Sequence, residues 1–285
     1  QIQKKKLGYD FIKSKYNYVV KSDTGTGKTT AFKHYVKEHN LKFISIVSRI
    51  SLADEQYNVF SEHGIECKNY RIAESFTNTD NVIITVDSIR KLYNIDFTDY
   101  VIFLDEYNSL LEYLATANTL SKNRSIIYNK FIKIIKQCKQ VVATDADIND
   151  TSLRWIRTYK TNIKYIQNTY KHNKNVLAYE LNNFAHLIEK VKSEEKFLLC
   201  TDSKTNAELI FKQLNDPSVC LIVGGDDTYY KLDEYDKVIF SPKIMYGIDS
   251  SMKRNVYCYY KEHTIQPTGY LQQIARCRNI NTLYY

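Results

Sequence analysis

Motifs that would place this chain in several broad classes are missing from it. No window approaches the roughly 20 uninterrupted apolar residues of a membrane span, and Gln1–Lys6 is followed by no apolar, leader-like run. There is no Cys-x-x-Cys and no Cys/His cluster. The six cysteines (67, 138, 200, 220, 258 and 277) are scattered, which argues against structural zinc and for a reducing compartment. Glycine (8) and proline (3) are scarce, and apart from the basic opening Lys4-Lys5-Lys6 there is no short repeat or low-complexity tract. The plentiful Tyr, Lys, Asn and Ile suggest an AT-rich coding bias more than a function. The chain starts without Met and stops inside the apolar Thr282-Leu283-Tyr284-Tyr285, so it reads as a segment of something longer.

What is present suits a globular α/β protein of about two domains, on a prior of roughly 150 residues each. Of 285 residues, 44% are apolar and 13% aromatic, enough for two cores, and the net charge of +8 fits a polyanionic partner without proving one. Apolar runs of strand length alternate with helix-period segments, the pattern of parallel sheets covered by helices. Strands are expected near 17–21, 43–48, 82–86, 100–104 and 140–144, and helices over 28–39, 50–62, 105–117, 123–138 and 150–159. The polar stretch Gln167–Asn175 reads as a linker, giving domains at 1–168 and 169–285. After it, strands are expected at 176–180, 196–201, 219–223, 237–241 and 255–260, with helices at 183–192, 204–214 and 267–277.

Three motifs carry chemistry. Tyr18-Val19-Val20 runs into Lys21-Ser22-Asp23-Thr24-Gly25-Thr26-Gly27-Lys28-Thr29-Thr30, a phosphate-binding loop with Ser22 where the full pattern has its first glycine. Backbone N–H groups around Gly25 and Gly27 can close on phosphate oxygens, Lys28 can reach the β/γ-phosphates, and the Thr29 hydroxyl can hold Mg²⁺. Val101-Ile102-Phe103-Leu104-Asp105-Glu106 is an apolar strand ending in two carboxylates. Asp105 suits Mg²⁺, and Glu106 suits orienting and deprotonating an attacking water. Gln272-Gln273-Ile274-Ala275-Arg276-Cys277-Arg278 falls on the last expected helix, where an arginine could neutralise charge growing on a γ-phosphate or could simply belong to a solvated basic face.

Taken in order, these motifs resemble the series of superfamily 2 helicases. Between them stand Ser48-Arg49-Ile50-Ser51-Leu52-Ala53, Ile84-Thr85-Val86-Asp87-Ser88-Ile89, Ala143-Thr144-Asp145-Ala146-Asp147, Leu199-Cys200-Thr201-Asp202-Ser203, and Phe240-Ser241-Pro242-Lys243 through Gly247-Ile248-Asp249. Thr-Asp-Ala-Asp, Ser-Pro-x-x-x-x-Gly-x-Asp and Gln-x-x-x-Arg-x-Arg narrow the likeness to the helicase region of herpesvirus-type replication origin-binding proteins of large DNA viruses. The resemblance implies two tandem RecA-like P-loop NTPase lobes. It implies ATP and Mg²⁺ as cofactors, with Thr24, Gly25, Thr26, Gly27, Lys28, Thr29 and Thr30 on the nucleotide, Thr29 and Asp105 at the metal, and Lys28, Asp105, Glu106, Gln272, Arg276 and Arg278 in catalysis. Gly247 and Asp249 would couple nucleotide state to strand grip. Arg49, Ser51, Thr85 and Ser88 would face a nucleic acid strand on the first lobe, and Ser203, Ser241 and Lys243 on the second. For each Ser or Thr, helix capping is the competing role; Asp145 and Asp147 would either relay between the two sites or cap helix 150–159. The usual second arginine lies three residues after the first, whereas Arg278 lies two after Arg276 and Asn279 takes the expected place. Which arginine acts therefore stays open, as does the base preference, since no adenine-reading glutamine is evident.

The expectation is an ATP-dependent helicase or translocase acting on single-stranded or duplex DNA, with RNA not excluded, in viral replication initiation beside other replication proteins. The setting would be the nucleus or cytoplasm of an infected cell. The competing readings are an ATP-switched DNA-binding module and a duplex translocase without strand separation; a P-loop kinase would leave the second α/β half without purpose. Segment Ser121–Lys139 adds six basic residues and no acid beside an apolar stripe (Ile127, Phe131, Ile134, Ile135, Cys138). The stripe reads as core, and the basic side as a solvated face or a nucleic acid rail.

Overall fold

The structure is a computed structural model that describes residues 1–225, 230–242, 248–261, 264–265 and 267–285. The chain folds as two compact units, Gln1–Lys171 and His172–Tyr285. In the first, the elements run β1 (Asn17–Lys21), α1 (Lys28–Glu38), β2 (Phe43–Val47), α2 (Ile50–Glu62), β3 (Lys68–Asn69), β4 (Val82–Thr85), a 3-10 turn (Val86–Lys91), β5 (Val101–Asp105), α3 (Tyr107–Thr116), α4 (Arg124–Gln137), β6 (Gln140–Asp145), α5 (Asp150–Tyr159) and β7 (Ile163–Gln167). All seven strands are parallel, in the order β3-β4-β2-β5-β6-β1-β7. The inner strands β2, β4, β5 and β6 are buried at every residue. That burial explains why they read as continuous apolar runs: helices cover both faces. Phe32 of α1 stacks on Phe103 of β5 at 4.1 Å between ring centroids, and Phe43 and Phe60 complete the cluster.

The second unit comprises β8 (Leu177–Tyr179), α6 (Phe184–Lys192), β9 (Phe197–Thr201), α7 (Lys204–Leu214), β10 (Val219–Ile222), β11 (Lys237–Phe240), β12 (Ser250–Tyr259), α8 (Pro267–Ile274) and β13 (Cys277–Tyr284). Its six strands are also parallel, ordered β10-β11-β9-β12-β13-β8.

Several elements differ from the sequence reading, among them the two-residue strand β3, which has no expected counterpart. Strand β7 was not expected, and Gln167 and Asn168, read as the start of a linker, belong to the first sheet's edge, where Asn168 N–H donates to Lys21 O at 2.8 Å. Edge position explains the miss, because β7 leaves Lys164 and Tyr165 exposed and so lacks an apolar run. The last helix ends at Ile274, and Cys277–Tyr284 forms a strand between β12 and β8. Arg276 therefore lies beyond the helix and Arg278 on the strand; Cys277 and Ile280, buried in the core, draw the chain into the sheet. Asp105 closes β5 and Glu106 caps α3, so neither carboxylate is helical.

Candidate nucleotide site and nucleic acid face

Because all strands of the first sheet run the same way, the loops after β1, β2, β4, β5 and β6 gather at one edge, where ligands bind in open parallel sheets. The loop after β1 is shaped for phosphate. Gly25 (φ 72°) and Gly27 (φ 81°) occupy the left-handed region open to glycine, and Gly27 starts α1 with no side chain capping its first N–H groups. Lys28 Nζ donates to the carbonyls of Ser22 (2.9 Å) and Asp23 (3.1 Å), arching over the loop.

Asp105 is the hub. Its carboxylate, buried at the end of β5, accepts from Thr29 Oγ1 (2.6 Å), Gln56 Nε2 (3.0 Å) and Thr144 Oγ1 (2.7 Å). Strand order sets this up: β6 lies between β1 and β5 and brings Thr144 opposite Asp105, while Gln56 reaches down from α2. Gln56 lies in none of the sequence motifs, and Thr144 stands in Thr-Asp-Ala-Asp without an assigned role. The donors available to a cation here, a hydroxyl and a carboxylate, are hard oxygens that fit Mg²⁺.

Glu106 follows with φ 51°, a left-handed backbone that a β-carbon disfavours by about 1–2 kcal/mol. Such strain concentrates at functional sites. Burial pushes the Asp145 carboxyl up, opposed by a hydrogen bond from the Asp147 N–H and by the charge of Lys28. Asp145 also accepts from the Asn108 N–H at 2.7 Å. Neither Asp145 nor Asp147 caps α5; Asn149 does, in a reciprocal box with Ser152.

At the same edge, Arg49, Ile50 and Ser51 open α2, and Thr85 and Ser88 lie at the end of β4 and in the 3-10 turn. Ile50 is 53% exposed. Beside them, the segment after β3 was not anticipated: Arg71 pairs with Asp54 of α2 at 2.7 Å, Lys91 Nζ donates to Tyr70 O at 2.9 Å, and Ile72 is 75% exposed. Of the basic residues on α4, Lys130 is spent internally on Leu92 O, and Lys136 lies over the Tyr159 ring; the apolar stripe is core.

In the second unit, Arg276 and Arg278 share one partner. Arg276 Nη1 lies 2.9 Å from Asp249 Oδ1, Arg278 Nε donates to Asp249 Oδ2 at 2.8 Å, and Arg276 Nε donates to Gln272 O at 3.1 Å. Arg276 and Gln272 are buried, while Asp249 is exposed. Ser203 caps α7 by accepting from Asn206 N–H, and Ser241 is buried at the end of β11. Lys243 and Gly247 lie outside the described residues.

Two parallel-sheet units of this construction have the RecA-like fold. Among solved structures, S. cerevisiae Dbp5 bound to RNA and ADP BeF3 matches with a TM-score of 0.68 and 17% identity, over 95% of this chain and 79% of that one. The DUF1998 helicase MrfA bound to DNA matches at 0.66 and 14%, over 97% and 47%. At such identities the likeness defines the fold.

The chain belongs to the origin of replication binding protein family, whose model matches residues 10–191. The replication origin-binding protein of Human herpesvirus 6B (strain Z29) is 27% identical over 257 residues, 81% of this chain and 32% of that protein. An uncharacterized candidate helicase of Acanthamoeba polyphaga mimivirus is 23% identical over 311 aligned residues, 96% of this chain and 29% of that protein. The chain thus spans about a third of the length of the curated relatives it matches. Among the described residues no helix is long and apolar enough to cross a membrane.

Proposed function

We propose that this segment is an ATP-driven motor on nucleic acid, working on DNA at a viral replication origin. The observation that carries the reading is the 2.6 Å contact between Thr29 Oγ1 and Asp105 Oδ2, which joins the start of α1 to the end of β5 around one candidate cation position. In this reading the loop Thr24–Thr30 binds the triphosphate, Lys28 leaves its loop carbonyls for the β/γ-phosphates, and Thr29 and Asp105 hold Mg²⁺. When bound, the ion supplies charge neutralisation at the phosphate oxygens. Glu106 orients and deprotonates water, and Arg276 or Arg278 is the charge-neutralising arginine. Arg49, Ser51, Thr85 and Ser88 hold the strand by its phosphates, with Arg71 adding charge and the exposed Ile50 and Ile72 offering apolar contact to bases. The origin-binding relatives favour DNA over RNA as the working substrate.

The test is ATP hydrolysis measured in parallel with single-stranded DNA, duplex DNA and RNA. Lys28→Ala is expected to abolish turnover, and Glu106→Gln to retain nucleotide binding while stopping hydrolysis. Unchanged rates in both variants would refute the site. A strand-displacement assay run beside it separates a motor from an ATP-switched clamp.

A further inference from the structure

Ser22 occupies the place of the phosphate loop's first glycine, and it is 1% exposed. A glycine there has no side chain to satisfy; a buried hydroxyl must be hydrogen-bonded or it destabilises the loop that carries it. Its partners are Thr26 Oγ1 at 2.7 Å and Asn168 Nδ2 at 3.0 Å. The directions follow from proton counting. Thr26 has one hydroxyl proton and gives it to the Asp23 carbonyl at 2.7 Å, which can only accept. Ser22 Oγ therefore donates to Thr26 and accepts from Asn168. The Asp23 carbonyl is also one of the two oxygens that hold Lys28 Nζ, at 3.1 Å. An unbroken relay thus runs from the Asn168 amide through Ser22 and Thr26 to the carbonyl under Lys28.

Asn168 is well placed to anchor it. Its backbone N–H donates to Lys21 O at the end of the β1–β7 ladder. Its side-chain amide uses both donors and accepts two bonds, with Nδ2 donating to Lys4 O (2.8 Å) and Ser22, and Oδ1 accepting from Lys4 N (2.9 Å) and Tyr170 N (3.3 Å). Asn168 is 5% exposed and Thr26 0%, so water does not stand in for either. Through Lys4 the same amide fixes the N-terminal segment, whose Leu7 N–H donates to Thr26 O at 2.8 Å and whose Lys6 Nζ donates to Gly25 O at 2.8 Å.

We infer that Asn168 is a positioning residue of the phosphate loop, setting through Ser22 the loop conformation in which nucleotide phosphates are received. The inference rests on reading the loop as a nucleotide site, and its test is chosen to fail separately from the motor reading. In the full chain, Asn168→Ala is compared with the parent for affinity toward a fluorescent ADP, for KM and kcat of ATP hydrolysis, and for melting temperature.

The expected result is an ADP affinity and an ATP KM weakened about tenfold, with kcat within about twofold, as one buried hydroxyl loses its donor. In a Ser22→Gly background the same substitution is expected to change ADP affinity less than about twofold, because the group needing the donor is gone. Asn168→Asp, which keeps both acceptor bonds and removes both donors, should reproduce the loss if the alanine variant fails to fold. A fall in melting temperature with unaltered affinity, or an equal loss in both backgrounds, would overturn the inference. A parent that binds ADP without hydrolysing ATP would sink the motor reading alone; one that binds no ADP would sink both.

Discussion

Gln56 offers the sharpest check on how the Asp105 hub is built. It is 1% exposed, accepts from Ser45 Oγ at 2.5 Å and donates to Asp105 Oδ2 at 3.0 Å. Gln56→Leu keeps much of the volume and removes both bonds. The Ser45 hydroxyl, itself 0% exposed, then lacks its acceptor, a loss of about 1–3 kcal/mol, and the carboxylate loses one donor, about 1.5–3 kcal/mol. Extra apolar burial by leucine returns about 1–2 kcal/mol, leaving a net loss of about 2–3 kcal/mol. For a unit of this size that is a fall of roughly 5–10 °C in melting temperature. Trp155, the single tryptophan of the chain, lies in the first unit, so its fluorescence follows that unit's unfolding. Adding Ser45→Ala removes the stranded hydroxyl and should restore at least about 1 kcal/mol, a coupling that a double-mutant cycle measures directly. A drop below about 2 °C for Gln56→Leu, or no recovery in the double variant, would refute the hub as described.

Two further outcomes follow from the geometry. Burial raises the Asp233 carboxyl, but hydrogen bonds from Ser250, Ser251 and Met252 outweigh it and hold it at about 2, below the usual 3.8. A depressed carboxyl gives stability that is present above pH 3.8 and lost as pH falls toward 2. Since the side chain is 42% exposed, the share at stake is discounted to about 1 kcal/mol. Denaturant melts of the second unit from pH 5 to 2 should therefore be steeper for the parent than for Asp233→Asn, and parallel curves would count against the assignment. At the left-handed Glu106, Glu106→Gly relieves the β-carbon clash while Glu106→Ala keeps it. Glycine is expected to be the more stable variant by about 1 kcal/mol, with hydrolysis lost in both. Equal melting temperatures would show that the φ of 51° stores no strain.

Much of the fold is legible in the sequence, because strands buried on both faces must be largely apolar and the helices between them must be amphipathic. The runs at β2, β5 and β9 come close to the first condition, with polar residues only at Ser45 and at the strand ends Asp105 and Thr201. Strands β7 and β13 escaped notice because an edge position in one and polar residues interleaved with Cys277 and Ile280 in the other blur the signal. The phosphate loop and the Asp105-Glu106 pair were visible as local patterns, since the chemistry demands contiguous residues. The contacts of Gln56 and Thr144 were not, because they depend on meeting Asp105 across 49 and 39 residues of chain.

The amino-acid order alone marked the fully buried strands, most of the helices and the glycine-bearing loop before α1, since those depend on neighbours within a few residues. Only the tertiary structure decided that Asp105 collects three side-chain donors, that Arg276 and Arg278 share Asp249 with the latter on a strand, and that Asn168 props up Ser22. Each of these joins groups distant in the chain through a hydrogen bond or ion pair, and such pairings are set by strand order and packing, which no local pattern encodes.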